Sequence, residues 1–147
     1  MAEAAVEAGH EVVLVSGPVS LPRPAGAEVI AVESARQMFE AVRDRLAGCD
    51  AAIFAAAVAD YRPVSVSEQK IKKTGERLVL ELERTEDILG SARSVFGFRG
   101  VLAGFAAESE KLVEHAREKL ERKGCDVIIA NDITQPGIGF DSAENAV

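Results

Sequence analysis

The residues best suited by type and spacing to do chemistry lie between Ala55 and Lys73. Ala55-Ala56-Ala57-Val58-Ala59-Asp60-Tyr61-Arg62-Pro63 follows a short aliphatic run, so the side chains shrink where a strand leaves its sheet. Small residues there let a flat ligand approach the backbone. Asp60 then supplies a carboxylate for a ribose hydroxyl, a base amino group or a metal ion, or else it only caps a turn. Downstream, Lys70-Ile71-Lys72-Lys73 gathers three cations in an acidic chain. That cluster suits phosphate charge or a developing oxyanion, although taken by itself a solvated turn is the better reading.

Other groups carry weaker signals. The last main helical segment holds Lys111, Arg117, Lys119, Arg122 and Lys123, with Lys119 and Lys123 four apart on one face. Cations near a helix C-terminus favour its dipole, and by themselves these read as surface residues. Phe105 ends an aliphatic run, either as a core residue or as a platform for a base. Asn131-Asp132-Ile133 ends the next one and offers polar groups or a turn. His10 and His115 have no neighbouring nucleophile pattern and no metal-ligand spacing. Cys49 and Cys125, each in a Gly-Cys-Asp triplet, read as small buried fillers.

The elements that must position these residues follow from hydrophobic spacing. Aliphatic runs at Glu11 to Val15, Ala51 to Ala55, Val101 to Phe105 and Val127 to Ala130, with a weaker one at Glu28 to Val32, read as strands. Their continuous apolarity predicts parallel strands covered on both faces. Helical spacing occupies Met1 to Ala8, Ser34 to Ala47, Thr85 to Val95 and Ser109 to Lys123. Ser34 and Ser109 suit N-caps, while Gly9, Gly48 and Gly124 suit the left-handed C-terminal position. Strand and helix alternate, which predicts an α/β fold: a Rossmann-like, doubly wound, mostly parallel sheet whose ligands bind beyond the strand carboxyl ends. One segment departs from this. Arg77 to Arg84 alternates Leu78, Leu80 and Leu82 on one face, so residues 64–84 are expected to project as a β arm able to pair with another subunit.

Composition bounds the function classes. With 147 residues, 48% hydrophobic and 28% charged, the chain suits one soluble domain with its own core. A formal net charge of -7 argues against general attraction to nucleic acid or to an anionic membrane. No apolar run approaches the roughly 20 residues of a membrane span, and no signal-peptide pattern opens the chain, so a cytoplasmic location is expected. A phosphate-binding fold normally opens on a strand and a Gly-rich turn, whereas this chain opens inside a helix. Neither GxGxxG nor a P-loop occurs, and Gly137-Ile138-Gly139 lacks the following glycine and helix. The expectation is a single domain over 1–147, truncated at its N-terminus. Its end, Phe140 to Val147, reads as a loop entering a further strand.

Taken in order, AAAVADYRP (55–63), KIKK (70–73), EDIL (86–89), GFAAES (104–109), KLERKG (119–124) and ANDI (130–133) resemble phosphopantothenate-cysteine ligase, over essentially the whole chain. The resemblance implies a CTP-dependent ligase of coenzyme A biosynthesis, joining cysteine to phosphopantothenate through an acyl-cytidylate, with Mg²⁺ offsetting the phosphate charge. It implies nucleotide contacts at Phe54, Ala55, Ala56, Asp60, Lys70, Glu86, Asp87, Ile88, Leu89, Phe105, Lys119 and Lys123. Lys70 is the catalytic candidate, and Asp60 is the candidate metal ligand. A homodimer is expected through the arm, together with association with a flavin-dependent phosphopantothenoylcysteine decarboxylase. Thr85-Glu86 replaces the Asn-Pro usual in the family before Asp-Ile-Leu, and the family's Gly-rich opening and Asn-Arg-Ser-Ser-Gly segment would precede Met1. A truncated fragment of this kind is expected to bind nucleotide poorly or to be inactive. The rival readings are an NAD(P)-dependent oxidoreductase, weakened by the missing GxGxxG, and a non-catalytic nucleotide-binding domain.

Overall fold

In the computed structural model, which describes residues 1–72, 75, 77–108 and 111–132, the aliphatic runs become strands and the amphipathic segments become helices. The order is α1 (Ala2–Glu7), β1 (Val13–Ser16), β2 (Glu28–Ala31), α2 (Ala35–Leu46), β3 (Ala51–Phe54), β4 (Tyr61–Pro63), β5 (Leu82–Arg84), α3 (Ile88–Ser94), β6 (Val101–Glu108), α4 (Leu112–Lys123) and β7 (Val127–Asp132). Lys73, the expected cap Ser109, Ile133, Gly137 to Gly139 and the terminal loop Phe140 to Val147 lie outside the described residues.

The pairing is parallel wherever the runs were purely aliphatic. β1 pairs with β2, and β3, β6 and β7 form a three-stranded sheet in the order β3-β6-β7. Register sets Ala52 against Leu102, and Phe54 against Gly104, which in turn lies against Ile128. These residues share one face because strand side chains alternate. On that face Leu102 and its neighbours Ala52, Phe54 and Ile128 pack with Leu46 of α2, Leu89 and Ala92 of α3, Phe98, and Cys125 just after α4. Gly104 is required by this packing. A Cβ there would sit 2.9 Å from Leu89 Cδ2 and 3.0 Å from Ile128 Cδ1.

Burial on both faces was expected of these strands, and the described residues cover the two faces unequally. Helices α2, α3 and α4 all feed the same core cluster, through Val42, Leu46, Leu89, Ala92 and Leu120. On the opposite face Ile53 is 58% exposed, Val101 54% and Val127 46%. Among the described residues the main core cluster lies on one face, while Ala103 is buried on the other.

Helix ends follow local chemistry. Ser34 is extended and accepts from Gln37 N–H, while the Gln37 side chain accepts from Ser34 N–H, a reciprocal capping box. α3 starts later than the spacing predicted, at Ile88 instead of Thr85, because extended Asp87 takes the N-cap and accepts from Gly90 N–H at 2.9 Å. Gly124 ends α4 in the left-handed region, with φ of 64°, as expected. Gly48 does not adopt that region, because α2 closes on right-handed Ala47.

The β arm is antiparallel, with Tyr61 opposite Arg84 and Pro63 opposite Leu82. It is shorter than the alternation from Arg77 suggested, although Val64 N–H still donates to Glu81 C=O at 3.0 Å. Leu78, Leu80 and Leu82 are 67%, 61% and 52% exposed. Among the described residues nothing covers them, so they gain no burial from extending the ladder.

Candidate ligand site at the strand carboxyl ends

The neighbouring parallel strands β3 and β6 run the same way, β3 ending at Phe54 opposite Gly104 and β6 continuing to Glu108. Beyond Phe54 the alanines Ala55, Ala56 and Ala57 are exposed, which leaves the backbone open to a ligand. Thr85 pins the end of this stretch, with its hydroxyl donating to Ala59 C=O at 2.6 Å and its N–H donating to Asp60 C=O at 3.0 Å. The Asp60 side chain is thereby placed at the base of the arm, exposed.

Arg62 donates to Glu83 at 2.8 Å and to Glu86 at 2.9 Å, tying both strands of the arm to the α3 approach. A backbone hydrogen bond within Glu86 lowers the pKa of its carboxyl, burial opposes this, and the hydrogen bond and charge of Arg62 lower it further. Asp87 is occupied too. It caps α3 and pairs with Lys123 Nζ on α4. Burial alone would raise its pKa, but the Lys123 hydrogen bond, the Gly90 N–H and the nearby charges of Lys123 and Arg122 outweigh this and leave it below the usual value. Ile88 and Leu89 are 6% and 9% exposed, so their side chains serve the core and only backbone is left for a ligand.

On α4, Lys119 is half-buried and donates to Phe105 C=O of β6 at 2.6 Å, one residue past the level at which β3 ends. Lys123, one turn on, lies beside the α3 cap. The structure therefore joins Lys119 to Phe105 and Lys123 to Asp87, both lysines coming from α4, while Asp60 is held separately by Thr85. It does not bring Lys70 to either pair. Lys70, Ile71 and Lys72 are exposed on the connection from β4 to β5, and among the described residues no hydrogen bond or ion pair reaches Lys70. Neither Arg62 nor Thr85 was singled out from sequence as an organiser of this edge, since their partners lie more than twenty residues away.

Parallel strands alternating with helices make this a Rossmann-like α/β domain. The chain belongs to the family described as the DNA/pantothenate metabolism flavoprotein C-terminal domain, whose model matches residues 1–147. It is 42% identical over 149 residues to the coenzyme A biosynthesis bifunctional protein CoaBC of Vibrio vulnificus (strain YJ016), covering 100% of this chain and 37% of that protein. It is also 40% identical over 148 residues to a cysteine/cysteine sulfinic acid decarboxylase from an unidentified prokaryote, covering 100% of this chain and 41% of that protein. A crystal structure of the C-terminal domain of CoaBC superposes with a TM-score of 0.78 at 44% identity, covering 89% of this chain and 61% of that one. The chain thus spans well under half the length of the relatives it matches. The α/β, Rossmann-like fold read from the sequence stands.

The family description overturns the assignment to phosphopantothenate-cysteine ligase, and with it the CTP-dependent ligase activity. It names a flavoprotein of pantothenate metabolism, so the cofactor attached to the family is a flavin in place of CTP and Mg²⁺. Glu86 and Asp87, expected to face a nucleotide, are committed to Arg62 and to the α3 cap and Lys123. Among the described residues no group of three or more His, Cys, Asp or Glu side chains could hold a metal ion, and Asp60 belongs to no such group. The comparisons lend no support to the non-catalytic reading, and neither relative is named as an NAD(P)-dependent oxidoreductase. No helix among the described residues is long and apolar enough to cross a membrane.

Proposed function

We propose that the chain serves coenzyme A biosynthesis as the C-terminal-type domain of a pantothenate-metabolism flavoprotein, and that its role is to hold a phosphate monoester at the carboxyl ends of β3 and β6. The supporting observation is the half-buried Lys119, aimed at that edge by its 2.6 Å hydrogen bond to Phe105 C=O, with Lys123 one turn further on. A lysine is a compact cation with three donors, so one donor can stay on the carbonyl while the others meet phosphate oxygens. The exposed alanines at 55–57 admit the body of the ligand, and Asp60 meets its polar end. Lys70, on its exposed connection, is kept as a further phosphate contact.

One relative is a bifunctional coenzyme A protein and another a decarboxylase, so the domain accompanies more than one named activity. The reading is accordingly set at the shared group, the phosphate. Flavin mononucleotide and a phosphorylated pantothenate derivative both carry it. Calorimetric titration with flavin mononucleotide against riboflavin, and with the pantothenate compound with and without phosphate, separates the two sources. At least one phosphorylated member should bind about tenfold or more tightly than its dephosphorylated partner, a difference of about 1.4 kcal/mol. Equal affinity within both pairs would end the proposal. The same reading makes a flavin-dependent phosphopantothenoylcysteine decarboxylase the expected associate, and the exposed leucine arm over 64–84 the expected contact between two copies of the chain.

A further inference from the structure

A second cleft lies at the carboxyl ends of the other parallel pair, β1 and β2. It has a volume of about 510 Å³ and is lined by Gly17, Pro18, Ala31, Val32, Glu33 and Gln37. That size falls within the roughly 300–1,000 Å³ typical of small-molecule pockets, and strand carboxyl ends are where α/β sheets bind ligands. None of these residues belongs to the β3–β6 edge.

Two polar groups in it are arranged in complementary fashion. Gln37 Oε1 accepts from Glu33 N–H at 2.7 Å and from Ser34 N–H at 3.2 Å, so the capping box holds the oxygen end of this amide. The amide NH₂ is consequently turned away from the cap, and among the described residues it has no hydrogen-bond partner. Beside it Glu33 carries an exposed carboxylate that no cation of the described residues pairs. With Gln37 offering a donor, Glu33 an acceptor and Pro18, Ala31 and Val32 apolar surface, the lining suits a pair of vicinal hydroxyls, one donating to Glu33 and the other accepting from Gln37. Gly17 leaves the room. A Cβ there would meet only Met38 Cε, at 4.0 Å, so packing does not explain the absence of a side chain.

We infer that this cleft is a second binding site, taking a small ligand with a vicinal diol, of the kind a ribosyl group presents. The site goes beyond the phosphate edge proposed above and is independent of it. Adenosine serves as the probe, with a dideoxy analogue lacking both ribose hydroxyls as the control, read by backbone amide chemical shifts in the intact chain. Adenosine should shift the amides of Gly17, Glu33 and Gln37 in a saturable way, and the dideoxy analogue should bind about tenfold or more weakly. Glu33→Ala should weaken adenosine binding comparably. Gly17→Val, whose side chain enters the cleft, should abolish it while leaving the circular dichroism spectrum unchanged. Lys119→Met, which disables the phosphate edge, should leave the adenosine response intact, so that failure of one site is distinguishable from failure of the other. Equal binding of the dideoxy analogue, shifts confined to other residues, or no saturable shift would each overturn the inference.

Discussion

Asp87 couples the start of α3 to the last turn of α4, and its replacement tests how the ligand edge is held. Its carboxylate accepts from Gly90 N–H at 2.9 Å and pairs with Lys123, whose side chain is 17% exposed while that of Asp87 is 55% exposed. Losing an N-cap costs about 1 kcal/mol, and a partly exposed ion pair contributes about 0–1 kcal/mol. Asp87→Ala should therefore lose about 1–2 kcal/mol, or about 2–8 °C in Tm for a domain of this size. Asp87→Asn keeps a capping oxygen and removes only the charge, so it should recover more than half of the loss. The pH dependence has a defined sign. The folded-state pKa of Asp87 lies below the unfolded value of about 3.9, so its ionic contribution is complete above that pH and is lost as pH falls through the folded pKa. The gap between the parent and Asp87→Asn should shrink below about pH 4. Urea denaturation at several pH values measures all of this. An Asp87→Ala protein within about 0.3 kcal/mol of the parent, or a gap that widens in acid, would refute the reasoning.

Other perturbations have equally definite outcomes. Gly104→Ala forces a methyl into contact with Leu89 and Ile128, and overpacking of this kind should cost about 1–3 kcal/mol in urea unfolding. Arg93 donates to Phe98 C=O, Gly100 C=O and Gly124 C=O at 3.0, 2.9 and 3.2 Å and pairs with Asp126 at 2.6 Å. Arg93→Met strands those acceptors and should cost about 2–3 kcal/mol, with the m-value unchanged. Leu80→Lys on the exposed arm should convert a dimer to a monomer by light scattering with little change in monomer stability; if the parent is already monomeric, the arm is not the contact.

The strands were legible because β1, β3, β6 and β7 each hold an uninterrupted aliphatic run, and α2 because Ser34 and Gln37 spell out its cap. The start of α3 was harder to place, since Thr85, Glu86 and Asp87 can all cap and only the folded chain shows that Thr85 is engaged with Ala59 and Asp60. Contacts between distant segments left no trace in local patterning. Arg62 with Glu83 and Glu86, and Arg93 with Asp126, are 21 to 33 residues apart. Aliphatic continuity did not separate the exposed Ile53 and Val101 from the buried Ala103, because it records what a strand tolerates on each face. At the site, Lys119 and Lys123 looked like surface cations until their length and spacing carried them to Phe105 C=O and Asp87. The motif set correctly led to coenzyme A metabolism. The step from it to a CTP-dependent ligase was the one overturned, since small residues and lysines at a strand end specify the shape and charge of a ligand more closely than the reaction performed on it.

Whether Lys119 holds a phosphate monoester at the β3–β6 edge is decided by titrating the parent chain and Lys119→Met with phosphorylated and dephosphorylated ligand pairs. The parent should prefer at least one phosphorylated member by about tenfold or more, and Lys119→Met should lose most of that preference while its unfolding transition stays cooperative. A parent with no preference, or a Lys119→Met protein that keeps the full preference, would contradict it.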